Sequence, residues 1–198
     1  MRVVMVDAGG ANLGSVRQAL QRLGAEPELS TDAAAIASAD RVILPGVSTA
    51  AVVMQALRRL DLVEVLRGLQ APLLAVCAGM QVLFEHSEEG DVDCLGLLPG
   101  RVRRLQPAPG VRVPHMGWNR LHRQGASALS EGIDEGDWAY FVHSYAAPVD
   151  GHCLLACDHG RRFAAVVQRG RVAGAQFHPE RSSRAGERLL RNFIETGT

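Results

Sequence analysis

Aromatic residues, excess charge and long apolar runs are all scarce in this sequence of 198 residues. Only 5% of the residues are aromatic against 47% that are hydrophobic, so the core must be built mostly from aliphatic side chains and alanine. The 21 basic residues balance 21 acidic ones, which gives no electrostatic argument for a nucleic-acid partner. No apolar run approaches the ~20 residues of a membrane span, and the run at residues 3–6 is too short for a signal-peptide core. We therefore expect a cytoplasmic protein without membrane contact that forms one domain over residues 1–198.

Cysteine is also scarce, and the four thiols differ in their surroundings. Without a secretory signal, four cysteines do not indicate a disulfide framework. A structural zinc site needs more ligands at tighter spacing, so no metal site is predicted. Cys153 and Cys157 lie in an apolar, strand-like run, which predicts that both are packed in the core. The other two are Cys94 and Cys77.

The stretch around Cys77 has the pattern of a strand, a sharp turn and a helix. Residues 73–76 form a short apolar run, and the apolar residues after position 79 recur at helical spacing. Ala75 and Gly79 place small residues on either side of the cysteine, as required where a strand and a helix approach closely. This is the pattern of a nucleophile elbow. The same stretch is equally typical of a buried cysteine in a core strand, because free cysteine is among the most buried residue types.

A second stretch near the C-terminus favours the elbow. A short apolar run ends at His178, Pro179 stiffens the next link, and Glu180 places a carboxylate two residues beyond the imidazole. A nucleophilic thiol needs a base within hydrogen-bond reach and a third group that orients the base. Cys77 and His178 can meet if both lie at the carboxyl edge of one parallel sheet, which is where ligands bind in open α/β folds. The two stretches together predict a Cys77–His178–Glu180 triad.

The remaining chain alternates between apolar runs and amphipathic segments. The glycine-rich turn at residues 7–12 lacks the dinucleotide fingerprint and the Walker lysine, so it is interpreted as a strand-to-helix connection with Asn12 as the helix N-cap. The polar segments 87–93 and 115–119 are predicted to be loops. The predicted helices cover residues 13–23, 49–69 (as one helix or two) and the C-terminal segment. The predicted strands cover residues 2–6, 41–44, 71–76, 101–105, 139–142, 154–157, 163–167 and 172–177.

Four longer stretches carry a resemblance to a known family. They read Cys-Ala-Gly-Met-Gln at residues 77–81, Pro-His-Met-Gly-Trp-Asn at 114–119, Phe-Val-His-Ser-Tyr at 141–145 and Gln-Phe-His-Pro-Glu at 176–180. The first and the last resemble the class I, triad-type glutamine amidotransferases in general. The middle two resemble, more narrowly, the glutaminase subunits of imidazole glycerol phosphate synthase. The resemblance covers essentially the whole chain, with shorter landmarks at residues 6–7, 12–13 and 44–47.

The resemblance implies a fold and further site residues. The fold would be a three-layer α/β/α domain with a central, mostly parallel sheet, related to flavodoxin. The oxyanion would be held by the backbone N–H of Ala78, which lies at a helix N-terminus, and by an N–H of the loop after a neighbouring strand. The expected oxyanion and substrate-binding residues are Ala78, Gly46 or Val47, Gln81, His143, Ser144 and Tyr145. His143 is not predicted to be the base because no carboxylate follows it by two residues.

The resemblance also implies an activity and a partner. The chain would hydrolyse L-glutamine to glutamate and ammonia through a Cys77 thioester, without a metal or an organic cofactor. The ammonia would pass to a separate cyclase subunit with a (β/α)8 barrel, in a heterodimer. That subunit would form imidazole glycerol phosphate and aminoimidazole carboxamide ribotide in histidine biosynthesis. The isolated chain is expected to have weak glutaminase activity that the partner raises.

Three alternatives remain open at this point. One is the glutaminase of another synthase, such as pyridoxal phosphate synthase, against which the stretch at residues 114–119 argues. A second is a related cysteine hydrolase or chaperone, in which a histidine usually follows the cysteine closely, whereas Ala78 follows here. A third is a non-catalytic subunit that retains the fold, which does not explain an intact triad. The family usually carries other residues at Ala8, Gly14 and Ser48.

Overall fold

One large sheet runs through the middle of the computed structural model, which describes residues 1–9 and 13–198. The first four pairings of neighbouring strands across this sheet are parallel, and the last three are antiparallel. The predicted α/β fold with a mostly parallel central sheet is therefore confirmed, with an antiparallel extension at one edge. In spatial order the eight strands within the described residues are β2 (Glu28–Ser30), β1 (Val3–Val6), β3 (Arg41–Gly46), β4 (Leu73–Cys77), β14 (Val172–Ala175), β13 (Arg161–Arg169), β12 (Cys153–His159) and β9 (His122–Arg123).

Helices cover both faces of this sheet because the central strands are apolar on both sides. Alternate residues of β1 and β3 join opposite cores, with Val4 in one and Met5 in the other. One face carries α1 (Leu13–Arg22) and α6 (Ser183–Thr196). The other carries α2 (Ala33–Ala37), α3 (Ala50–Arg59), α4 (Val63–Arg67) and α5 (Ala78–Gln81). Of the helices described, none is long and apolar enough to cross a membrane.

Most predicted elements are confirmed, and one correction concerns a helix. The stretch 49–69, for which the sequence allows one helix or two, forms the two helices α3 and α4. The elbow helix α5 ends at Gln81 rather than continuing through the apolar residues that follow. The elements β2 and α2 were not predicted. The expected N-cap at Asn12 lies outside the described residues.

Two smaller sheets contain segments that were predicted to be loops. The prediction for residues 115–119 was wrong, because they belong to β8 (His115–Arg120), which pairs antiparallel with β10 (Trp138–His143). Side chains of β8 alternate between buried and exposed, and its polar and aromatic composition reflects that exposed face. The ends of the predicted loop 87–93 also pair. The second small sheet contains β11 (Tyr145–Ala146), β7 (Arg101–Arg104), β5 (His86–Ser87) and β6 (Val92–Asp93).

Candidate active site

Cys77 lies where β4 turns into α5. Its backbone has φ +55° and ψ −116°, a region that residues other than glycine rarely occupy. Such conformations cost ~1–3 kcal/mol and persist only when the surrounding structure holds them in place. Cys77 pairs in register with Gly46 of the neighbouring parallel strand, and only 7% of its surface is exposed. The structure thus places the thiol on a strained turn at the carboxyl edge of the sheet.

Two glycines allow this turn to pack against the neighbouring strand. A Cβ built on Gly46 would overlap the backbone N of Gly79 and crowd Ala78. In the same way, a Cβ on Gly79 would overlap the carbonyl of Leu44. Any larger residue at either position must push the elbow away from β3. The absence of a side chain at Gly46 and at Gly79 therefore sets the spacing between the elbow and β3.

Glu180 lies on a 3-10 turn, Pro179–Arg181, and His178 is the N-cap of this turn, three residues after the end of β14. His178 Nδ1 is 3.0 Å from Glu180 Oε1, and the Glu180 side chain is only 1% exposed. The backbone N–H of His178 donates to the carbonyl of Tyr140 at 3.0 Å, which attaches the turn to β10. Ser182 strengthens this attachment, because its hydroxyl donates to the His178 carbonyl at 2.7 Å and accepts from the Tyr140 N–H at 2.9 Å.

Opposing effects act on the imidazole of His178. Burial lowers its pKa, whereas the hydrogen bonds to Cys77 and Glu180 and the charges of these two groups raise it, to about 10. These effects favour a protonated His178 at neutral pH, beside the thiol and with Nδ1 bonded to the carboxylate of Glu180. A cation beside a thiol favours the thiolate, which is the nucleophilic form.

The backbone groups expected to hold an oxyanion lie beside the thiol. Ala78 is the first residue of α5, and Gly46 is opposite Cys77 in the β3–β4 register. Val47 follows in the half-buried segment that leads to α3, whose first turn is capped by Thr49 Oγ1 accepting from the backbone N–H of residue 52 at 3.3 Å. The structure brings all three predicted donors to the same edge of the sheet as Cys77.

The segment expected to bind substrate reaches the site from β10. The carbonyl of Val142 lies 3.8 Å from Cys77 Sγ. Gln81 Nε2 donates to the carbonyl of Tyr145 at 2.9 Å, and His143 Nδ1 is 2.8 Å from the same oxygen. The carbonyl of Ser144 accepts a backbone hydrogen bond from residue 105 at 2.8 Å. Gln81, His143 and Tyr145 are therefore linked through the Tyr145 carbonyl next to the elbow, whereas Ser144 is held separately by residue 105.

The sequence matches the family described as "Glutamine amidotransferase class-I" over residues 4–196. It is 62% identical over 193 residues to the "Imidazole glycerol phosphate synthase subunit HisH" of Xylella fastidiosa strain Temecula1, covering 98% of this chain and 96% of the relative. The subunit of the same name from Xanthomonas axonopodis pv. citri is 61% identical with the same coverage. The chain belongs to the class I glutamine amidotransferases, in the HisH family.

Solved structures agree with the fold of a class I glutamine amidotransferase. A crystal structure named only as a glutamine amidotransferase superposes with a TM-score of 0.76 at 21% identity, covering 98% of both chains. The PurLQS structure from Thermotoga maritima gives a TM-score of 0.71 at 21% identity and covers 98% of this chain and 97% of its own. At such identities these matches support the architecture alone. The resemblance recognised in the sequence is confirmed by the HisH relatives.

Two buried side chains of this HisH-family chain were not predicted to belong to the site. Gln176 is fully buried, accepts from Gln81 Nε2 at 3.1 Å through its Oε1, and places its Nε2 4.0 Å from Cys77 Sγ. His115 Nδ1 is 3.0 Å from His143 Nε2. Gln176 precedes His178 by two residues, so the period of a strand indicates that both side chains point to one side. The sequence contains no comparable signal for His115.

The other side of β10 forms an exposed aromatic surface. We define the ladder face as Met116, Trp118, Arg120, Trp138 and Tyr140, which project from the solvent side of the β8–β10 pair. The first two and Trp138 are 64%, 50% and 49% exposed, a high fraction for large apolar side chains. The Arg120 guanidinium lies 5.0 Å from the centre of the Trp138 ring. Such a patch is typical of a protein interaction site.

The ladder face is in contact with the turn that carries His178 and Glu180. The guanidinium of Arg181, the last residue of that turn, lies 4.3 Å from the centre of the Tyr140 ring. Trp118 meets the same ring edge-on at 5.8 Å between ring centres. A partner bound to the ladder face would therefore lie one side chain away from the turn that carries His178 and Glu180.

Proposed function

We propose that this chain is the glutaminase subunit of an imidazole glycerol phosphate synthase, which releases ammonia from glutamine for a cyclase subunit. The observation that carries the proposal is the placement of Cys77 on a strained elbow beside His178, whose Nδ1 is 3.0 Å from the buried Glu180 carboxylate. The names of the HisH relatives supply the pathway, histidine biosynthesis, because they are subunits of this synthase. These relatives favour this synthase over the pyridoxal phosphate synthase considered from the sequence.

The geometry supports an acyl transfer in two halves. The Cys77 thiolate attacks the side-chain amide carbon of glutamine, and the His178 imidazolium gives its proton to the departing ammonia. The neutral imidazole then takes a proton from a water molecule, whose oxygen attacks the thioester carbon. The C–S bond breaks, and glutamate leaves after its new carboxyl group loses a proton to solvent. Cys77 is again a thiolate, and His178 keeps the proton taken from water as an imidazolium. Glu180 holds the imidazole through Nδ1 and stabilises its cationic form. Neither half of the reaction requires a metal or an organic cofactor.

The negative oxygen formed at each addition needs donors that are already in place. The backbone N–H of Ala78 and an N–H from the Gly46–Val47 segment are our candidates, because both segments lie beside Cys77. Backbone donors fixed by packing cost no reorganisation when the charge develops. Losing one such donor typically slows the reaction ~100- to 1000-fold. The tight packing of Gly46 against Gly79 would keep them in position.

Glutamine would bind between the elbow and the end of β10. Gln81 Oε1 is buried and has no hydrogen-bond partner among the described residues, so it is free to accept from a bound molecule. Both hydrogens of the same amide are used, toward the Tyr145 carbonyl and Gln176. We assign the backbone of His143, Ser144 and Tyr145 to the amino and carboxylate groups of the substrate.

The ammonia must pass to a second active site. We propose that the partner is a (β/α)8-barrel cyclase subunit, that it forms a heterodimer with this chain, and that it binds the ladder face. The exposed Trp118 and Met116 provide a large apolar contact area, and arginines stacked on aromatic rings are frequent at interfaces. The cyclase would produce imidazole glycerol phosphate and aminoimidazole carboxamide ribotide.

The test is glutamate release from glutamine by the purified chain, alone and with a histidine-pathway cyclase and its nucleotide substrate. We expect weak release alone, a strong increase with the cyclase, and none in Cys77→Ala under either condition. Release that depends on Cys77 but is unaffected by the cyclase would refute the partner. Release that survives in Cys77→Ala would refute the mechanism.

A further inference from the structure

We propose that Gln176 is a further residue of the glutaminase reaction, whose side-chain NH2 is held toward Cys77 Sγ by a hydrogen-bond network of fixed direction and stabilises the thiolate. The inference rests on the proposed function, because it assigns a role within the same active site. It concerns a side chain that is fully buried and two residues away from His178 in the chain. The direction of the network is fixed by groups whose donor or acceptor character cannot change.

The carbonyl oxygen of Tyr145 fixes the orientation of two amides. A backbone carbonyl only accepts, so Gln81 must present its NH2 to this oxygen, at 2.9 Å. The second hydrogen of the same NH2 points to Gln176 at 3.1 Å, so Gln176 must present its Oε1 there. The NH2 of Gln176 is then left on the opposite side, 4.0 Å from Cys77 Sγ. Rotating either amide by 180° would set oxygen against oxygen or NH2 against NH2.

A second branch leads from the same carbonyl to the surface and is fixed in the same way. His143 must donate from Nδ1 to the Tyr145 oxygen at 2.8 Å, so its Nε2 accepts from His115 Nδ1 at 3.0 Å. His115 Nε2 then accepts from Asn119 Nδ2 at 3.2 Å, and the same NH2 donates to the carbonyl of Asp158 at 2.9 Å. The network thus begins and ends on groups that cannot reverse.

Both histidines of this branch must be neutral, because a second proton on either ring would set N–H against N–H. Their surroundings agree with this requirement. Burial lowers the pKa of His143 to about 3 and the pKa of His115 to about 4. The His115 ring is also packed between Phe141 and His159, with ring centres 4.8 Å and 4.0 Å away. The branch therefore keeps one direction throughout the pH range in which the enzyme works.

A donor that faces a thiol acts mainly when the sulfur is ionised. Hydrogen bonds to charged groups are about twice as strong as those between neutral groups. A contact of 4.0 Å is long for the thiol and would shorten toward the thiolate, which attracts the NH2 more strongly. The titratable groups around Cys77 are His178 beside it, Glu180 behind His178, and His143 on the strand that passes the thiol. Gln176 adds a neutral donor to this set, 4.0 Å from the sulfur.

The first test follows the alkylation of Cys77 by iodoacetamide as a function of pH, with the Cys77 peptide measured by mass spectrometry. In Gln176→Met we expect the midpoint of the alkylation profile to rise by about one pH unit, and alkylation at pH 7 to slow about tenfold. The matched control is Asn192→Leu, which removes another buried amide, whose NH2 donates to two backbone carbonyls rather than to the thiol. We expect that variant to lose stability and to keep the wild-type midpoint. An unchanged midpoint in folded Gln176→Met overturns the proposal.

The second test needs no substitution at Gln176. In the nuclear magnetic resonance spectrum of the unsubstituted protein, we expect the side-chain NH2 signals of Gln176 to shift with pH at the midpoint of Cys77 alkylation. The shift should be absent in Cys77→Ala, and the NH2 of Asn192 should not move in either protein. Side-chain NH2 signals of Gln176 that do not shift at the midpoint of Cys77 alkylation overturn the proposal. Neither test uses glutamine turnover, so failure of the proposed glutaminase function would be seen separately, as glutamate release independent of Cys77.

Discussion

Glu180 allows charge and geometry to be separated within the proposed triad. Its side chain is buried and meets His178 Nδ1 at 3.0 Å, so the isosteric Glu180→Gln keeps the shape and removes the charge that supports the imidazolium. We expect kcat/KM for glutamine to fall ~100-fold or more, with little change in KM. The pKa of His178 should fall as well, because one of its stabilising charges is lost.

Steady-state kinetics in the presence of the cyclase would measure this effect, with Glu187→Gln as a control. Glu187 is an exposed glutamate of α6 that pairs with Arg191. Wild-type kcat/KM in Glu180→Gln would contradict a triad.

Buried histidines give the stability of the protein two opposite dependences on pH. The pKa of His178 is raised to about 10 from an ordinary 6.5, so its contribution is complete below pH 6.5 and is lost as the pH rises toward 10. The pKa values of His115 and His143 are lowered, to about 4 and about 3, so the unfolded chain binds more protons below pH 6.5 and stability falls as the pH falls from there.

Urea unfolding between pH 4 and pH 9 would measure both effects. We expect the acid limb to become shallower in His115→Phe and the alkaline limb to become shallower in His178→Asn. If the two substitutions left the slopes of both limbs unchanged, the assigned causes would be wrong.

At the scale of residues, the sequence was informative where chemistry is local. His178 and Glu180 are two residues apart and Cys77 has small neighbours, so each can be recognised from a short stretch. Gln176 and His115 could not be assigned a role in the same way. Their partners, Gln81 and His143, lie 95 and 28 residues away in the chain and are brought to them only by strand pairing.

At the scale of elements, the contact between the elbow and β3 depends on Gly46 and Gly79. Gly46→Ala would set a methyl group against the backbone of Gly79. Because Gly46 is paired with Cys77 inside the sheet, β3 cannot move freely to make room. We expect this change to destabilise the protein by ~1–3 kcal/mol and to reduce glutamate release by at least tenfold.

The control for this prediction is Gly14→Ala on α1. No atom lies within 4 Å of a Cβ at Gly14, and alanine is the better helix former by ~1 kcal/mol. Thermal unfolding and glutamate release should therefore show Gly14→Ala as stable as wild type or more so, and fully active. A well-folded, fully active Gly46→Ala variant would mean that the Gly46–Val47 segment does not form part of the oxyanion site.

The strand β10 connects three parts of the site that the sequence presents separately. One edge pairs with β8, the other edge holds the backbone of His178 through Tyr140, and its end approaches Cys77 through Val142. The sequence predicted β10 from its apolar core but assigned β8 to a loop. Every second residue of β8 is exposed, and its tryptophan lies on the solvent side. The stretch therefore lacks the apolar pattern that predicts a strand, which is why β8 was missed.

At the scale of the whole molecule, the ladder face is where we expect the cyclase to bind. Trp118→Ala should weaken association with the cyclase by ~2 kcal/mol, or about 30-fold in Kd, because a central tryptophan often dominates an interface. The stability of the free chain should change little, since half of this residue is exposed. Isothermal titration calorimetry with the cyclase would measure Kd for the wild type and for Trp118→Ala.

Leu29→Ala provides the matched control for this interface. Leu29 is also exposed, at 39%, but lies on β2, the edge strand of the central sheet that is farthest from β9. We expect the Leu29→Ala variant to bind the cyclase as the wild type does. Equal binding by Trp118→Ala would place the interface elsewhere.

The fold class was accessible from the sequence because the central strands are almost purely apolar and alternate with amphipathic helices. The antiparallel extension and the two small sheets were less accessible. Short strands such as β5 and β6 have two residues each, and their pairing is set by tertiary contacts rather than by a periodic pattern.

The place of β14 between β4 and β13 has a consequence for how the protein is made. A ribosome produces Cys77 first and Val172, the first residue of β14, 95 residues later (172 − 77 = 95). At ~5–20 residues per second this is an interval of roughly 5 to 20 seconds. During that time the strand that carries the thiol has an unpaired edge, and the histidine that would activate it has not yet been translated. With Cys77 and His178 in their proposed roles, a nascent chain cannot consume glutamine before His178 has been translated, and its exposed strand edge must be kept from pairing with other chains until β14 is made.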